Sequence, residues 1–137
     1  MRTLVLEIIK DNDEIIAIIL GHSYKQDGVN FLTPDDHSFQ LAYMNRKKGD
    51  MVPAHYHKKN EKIITDTTEV LLVRSGKMKV TLFSSKLVPL KEFELGAGDL
   101  ILMVSGGHRF EMLEQTELVE IKQGPYISKE KDKHIFE

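Results

Sequence analysis

The chain has 137 residues and a mass of 15.7 kDa, the size of one ordinary domain with a self-sufficient core. Nineteen Lys and Arg against 21 Asp and Glu leave a formal charge of −2, which removes the electrostatic case for a nucleic-acid or membrane-surface binder. A hydrophobic content of 41% and the lack of cysteine exclude disorder, a disulfide framework, a zinc finger, an iron–sulfur cluster and a thiol nucleophile.

In chain order the sequence predicts many short strands. Thr3–Ile9 and Glu14–Leu20 are rich in Ile and Leu and flank the turn residues Asp11-Asn12-Asp13, as in a hairpin. The polar stretch Gly21–Asp36, with Asp27-Gly28 and Thr33-Pro34, reads as a loop. Phe39–Arg46 reads as a strand, Lys47–Asp50 as its turn and Met51–His57 as the next strand. Lys58–Thr68 is a long loop or an irregular strand. Glu69–Arg74 and Lys77–Phe83 flank Ser75-Gly76 as a second hairpin. Four further strands follow, Lys91–Leu95, Leu100–Val104, His108–Leu113 and Thr116–Gln123. Between them lie the turns at Gly96–Asp99, Ser105-Gly106-Gly107 and Glu114-Gln115. The charged tail from Ser128 to Glu137 is expected to fray or to pack on the surface. No helical period stands out, no run reaches the roughly 18 apolar residues of a membrane span, and residues 1–20 lack a secretory leader pattern. The expectation is a single all-β domain over residues 1–137, a double-sheet barrel or sandwich, soluble and cytoplasmic.

Of six histidines, only His55 and His57 have a chemically meaningful spacing. Residues two apart on a strand share a face, and two neutral imidazoles on one face can hold one metal ion. Gly49 precedes His55 by six positions, Glu69 opens the next apolar strand, and Gly76 follows Glu69 in a tight turn. Further on, Gly98-Asp99 opens a strand that leads to Gly106-Gly107-His108. This pattern resembles the two motifs of the cupin superfamily, G-x5-H-x-H-x(3–4)-E-x6-G over about 49–76 and G-x5-P-x-G-x2-H-x3-N over about 98–112. The resemblance implies a small double-sheet jelly-roll barrel. It also implies one divalent metal ion, Fe, Mn, Ni or Zn, held by His55, His57, Glu69 and His108.

The match has departures. Eleven residues lie between His57 and Glu69, and Glu61 sits at the family's own spacing from His57, so the two glutamates compete for the carboxylate position. Glu69 keeps its distance to Gly76 and heads a strand, which favours it. In the second motif His108 comes one residue early, Val104 replaces the proline and Met112 the asparagine. Three imidazoles and a carboxylate leave coordination positions open for water or substrate. Lys58, Lys59 and Lys62 are candidates to attract an anionic ligand, Phe110 and Met112 share the face of His108, and Glu120 and Lys122 share a face with Leu118. The blocks YHKKNEK and GGHRFEMLE are similar to small cupins of bacterial surface-polysaccharide synthesis.

The expected function is therefore a metal-binding cupin acting on a small hydroxylated, sugar-like molecule as an isomerase or epimerase. One alternative is a metal-independent sugar-nucleotide isomerase that uses histidine as base, with Tyr43 or Tyr56 as acid. The other is a ligand-sensing module without chemistry. The expected partner is a small molecule, with neither nucleic acid nor membrane, and the apolar first hairpin offers an edge for a homodimer.

Overall fold

The structure, a computed structural model, describes residues 5–137. The regular structure of these residues is ten strands and one helical turn. The start of the first expected strand, Thr3 and Leu4, lies outside the described residues. The chain divides into two compact units, one formed by the chain up to Tyr24 with Thr67–Glu137 and the other by Lys25–Asp66.

The first unit contains two antiparallel sheets. Five strands, β1 (Leu6–Asp11), β2 (Glu14–Leu20), β5 (Glu69–Ser75), β8 (Leu100–Met103) and β10 (Glu117–Lys122), pair in the order β1-β2-β8-β5-β10. Three more, β6 (Lys77–Phe83), β7 (Pro89–Gly96) and β9 (Gly107–Met112), pair in the order β7-β6-β9. Period-two alternation turns one face of each sheet inward. Ile19, Leu71, Val73 and Ile101 from the five-stranded sheet and Met78, Val80, Leu82 and Leu95 from the three-stranded sheet meet in one buried cluster. At one margin of the pair of sheets the edge strands β1 and β7 are joined by an ion pair between Glu7 and Lys91. The other two edges are β9 and β10.

Tight turns set this register. Gly76, between β5 and β6, has φ +91°, and a Cβ there would come 2.3 Å from the Gln115 carbonyl oxygen. Gly106, before β9, has φ +72°, and its Cβ would lie 2.1 Å from the Phe83 carbonyl oxygen. Only glycine satisfies both the left-handed backbone and the close approach. The expected turn at Gly96–Asp99 is also formed, and Asp99 stabilises it. Its side chain is buried and accepts from the Gly96 N–H at 2.8 Å and from the His22 N–H at 2.8 Å.

The second unit holds a two-stranded antiparallel sheet, β3 (Gly28–Phe31) and β4 (Ala42–Asn45), with Gly28 opposite Asn45 and Phe31 opposite Ala42. Two expectations fail here. Gly28–Phe31 is a strand rather than loop, because β4 supplies a partner across the turn signals that marked the stretch as irregular. Met51–His57 is not a strand. Every residue from Gly49 to Thr67 is exposed and none belongs to a strand, and Pro53 has no N–H to give a ladder. Lys58–Thr68 is accordingly loop rather than irregular strand.

Of the two expectations for the tail, packing on the surface is the one that holds. Ser128 caps the helical turn α1 (Lys129–Asp132) by accepting from the Lys131 N–H, and the residues beyond it pack onto the first unit. Among the described residues, no helix is long and apolar enough to cross a membrane.

Candidate functional site

The alternation that fills the core becomes polar at one end of it. On β5 the inward row runs Glu69, Leu71, Val73, and on β10 it runs Leu118, Glu120, Lys122, with Lys122 opposite Glu69 and Glu120 opposite Leu71. On β9 the inward row includes His108 and Phe110, which pair in register with the core residues Leu82 and Val80. The two sheets thus bring Glu69 and His108 face to face, with the Glu69 Oε2 3.7 Å from His108 Nε2. His108 stacks on Phe110 at a centroid distance of 4.9 Å and an interplanar angle of 17°. These residues line a cleft of about 660 Å³, together with Glu120, Lys122 and the C-terminal residues from Asp132 onward. That volume suits one small ligand.

The electrostatics of the cleft are unusual. The Glu69 side chain is only 14% exposed. Burial, and then the neighbouring Glu120 carboxyl, push its pKa up to about 7, against the weaker pull of Lys122 and Lys133. Glu120 moves the opposite way, below the usual carboxylate value, chiefly through its hydrogen bond with Glu69. The two carboxyls therefore titrate as a coupled pair, with Glu69 keeping its proton up to about pH 7 and Glu120 ionising first. His108 is held below 6.5 by burial first and the Lys133 charge second, which keeps the imidazole neutral there. Lys122 is engaged elsewhere. It donates to the Asp132 carboxylate at 3.2 Å and lies over the Tyr126 ring.

The residues expected at a metal fall into two pairs. Glu69 and His108 belong to the first unit and face each other in the cleft. His55 and His57 belong to the second unit, with both side chains exposed and their rings in an edge-on arrangement at 5.3 Å. His55 Nδ1 lies 2.8 Å from the Pro53 carbonyl oxygen. Glu61, Tyr56 and the three lysines Lys58, Lys59 and Lys62 lie on the same exposed stretch of the second unit, and Tyr43 lies on β4. Among the described residues, no three histidine or carboxylate side chains gather as a metal site. Each unit thus carries two donors of the expected set, and the acid–base reading below assigns no step to a metal.

Sequence reasoning reached Glu69, His108, Phe110, Glu120 and Lys122. Met112, which shares the alternating face of His108 and Phe110, is 46% exposed at the far end of β9. The tail was expected at most to pack on the surface, and its place in the cleft, lined by residues 132–137, was missed. The signal was present in its last residues. Phe136 is an apolar side chain in a largely charged segment and packs on Phe83 and Gly107, whereas its neighbour Ile135 stays 65% exposed.

No family model matches the chain, nor does any curated protein or solved structure. The cupin resemblance rests on the motif residues alone.

Proposed function

We propose that the cleft between β9 and β10 binds a small hydroxylated, sugar-like molecule and that Glu69, Glu120 and His108 move a proton on it, as in a metal-independent isomerase or epimerase. The observation that carries this reading is the convergence of two carboxyl groups and one imidazole on a cleft of ligand size. An isomerisation neither consumes nor releases protons overall. A carboxyl pair that keeps one proton up to about pH 7 suits it, because the ionised member can take a proton from a carbon beside a carbonyl and the protonated member can return one. Neutral His108, next to Glu69, is placed to hydrogen-bond the ligand oxygen on which charge develops. Two antiparallel sheets that share one core are compatible with the double-sheet barrel that the motif resemblance implies.

A metal-dependent variant of the reading has one observation in its favour. The donor atoms of Glu69 and His108 approach to 3.7 Å, a spacing at which two side chains can share one ion. A divalent ion held there would polarise a ligand oxygen.

The test is a turnover and thermal-shift screen of the full chain against free sugars, sugar phosphates and nucleotide sugars, with Glu69→Gln alongside. A substrate whose conversion falls at least about a hundredfold in Glu69→Gln, with ligand-induced stabilisation retained, supports the reading. Stabilisation without turnover favours the sensing module, and no stabilisation by any compound contradicts it.

A further inference from the structure

The C-terminal segment lines the cleft and is tied to both of its margins. At its start the Asp132 carboxylate accepts from Lys122 on β10, with the two side chains 16% and 22% exposed. At its end the Phe136 ring meets Phe83 edge-on at 5.1 Å and packs on Gly107, where even a Cβ would come 3.0 Å from the ring. Arg109 on β9 donates to the Glu137 carboxylate at 2.8 Å. The segment is thus clasped on the edge of one sheet and on the edge of the other, and Lys133, His134 and Ile135 lie between the clasps on the cleft wall.

The clasps also decide which cations remain unengaged. Lys122 is matched by Asp132, and Arg109 by Glu137. Among the described residues, no carboxylate lies within 4.0 Å of the Lys133 ammonium. Its charge nevertheless reaches Glu69, Glu120 and His108. We propose that Lys133 is a ligand-binding residue, and that the cleft takes small molecules bearing an anionic oxygen group, phosphate or carboxylate, with the clasped tail setting where that charge sits. The proposal rests on the reading of this cleft as the ligand site and adds the charge class of the ligand. It also places the anion contact on the tail rather than on Lys58, Lys59 and Lys62.

The experiment follows the His108 ring signals by NMR while full-length protein is titrated at fixed pH with inorganic phosphate, acetate or glucose. Phosphate or acetate should move them saturably in the wild type, and the active anion identifies which oxygen group the site prefers. Lys133→Ala should weaken that binding about tenfold or more, and Lys133→Arg should keep it. Phe136→Ala should weaken it comparably, since the unclasped tail no longer holds Lys133 in place. Anion binding that is unchanged in Lys133→Ala overturns the proposal. A response to glucose alone overturns it and leaves the cleft reading standing, whereas no response to any of the three probes overturns both.

Discussion

Glu69 shows how much one position in a strand determines. It occupies the same inward row as Leu71 and Val73, one step past the apolar core, so its carboxyl is desolvated without being sealed off. Glu120 then reaches it from the adjacent strand. Glu120→Gln removes the like charge and leaves an amide able to donate to Glu69. The Glu69 midpoint should then fall from about 7 toward the ordinary 4.5, as followed by carboxyl ¹³C NMR. The raised pKa also enters stability. A folded state that holds this proton more tightly than the unfolded chain gains most below pH 4.5 and loses the gain as pH rises through 7. His108, lowered from 6.5, acts in the opposite direction, since its share is present above that pH and is lost on acidification. Urea midpoints at a series of pH values should therefore lose their Glu69-dependent decline between pH 4.5 and 7 in Glu69→Gln. Gly106 supplies a prediction of a different kind. Gly106→Ala forces a Cβ against the Phe83 carbonyl at a left-handed φ, and should cost on the order of 1–3 kcal/mol in chemical denaturation.

At the scale of elements, most strands were legible, and the exceptions have physical causes. Glu14–Leu20, Glu69–Ser75 and Lys77–Phe83 combine β-branched or aliphatic composition with clear turns, and the structure forms strands there. Gly28–Phe31 was hidden because a four-residue strand beside Asp27-Gly28 looks like its own turn, and only its pairing with Ala42–Asn45 reveals it. Met51–His57 follows the turn at Lys47–Asp50 as a next strand would, but a turn creates no hydrogen-bonding partner, and Pro53 interrupts the segment. The site divides along the same line. Glu69 and His108 sat on segments whose alternation was readable, whereas the tail's docking depends on Phe83, Gly107 and Arg109, which are distant in sequence. The unpaired stretch makes its own prediction. Limited trypsin digestion should cut first after Lys58, Lys59 or Lys62, where every residue is exposed and no strand protects the backbone. Initial cleavage within β5 or β6 would contradict the assignment. Conversely, Leu95, 1% exposed in the cluster shared by both sheets, should cost about 2–5 kcal/mol on substitution by alanine.

For the whole molecule the question is whether the first unit's cleft works alone or with a metal. Elemental analysis of protein purified without chelators addresses the second part. Under the acid–base account, His57→Ala leaves activity within about twofold and elemental content unchanged, because that account gives His57 no role. Stoichiometric metal that is lost in both His57→Ala and Glu69→Gln would establish the metal-dependent variant instead. The account's central claim, that a coupled carboxyl pair in the cleft keeps one proton up to about pH 7, is tested most directly by the pH titration of the Glu69 side chain in the wild-type protein. It predicts a midpoint near 7 and a companion Glu120 midpoint below 4.5. Two ordinary carboxylates, both titrating near 4.5, would contradict it.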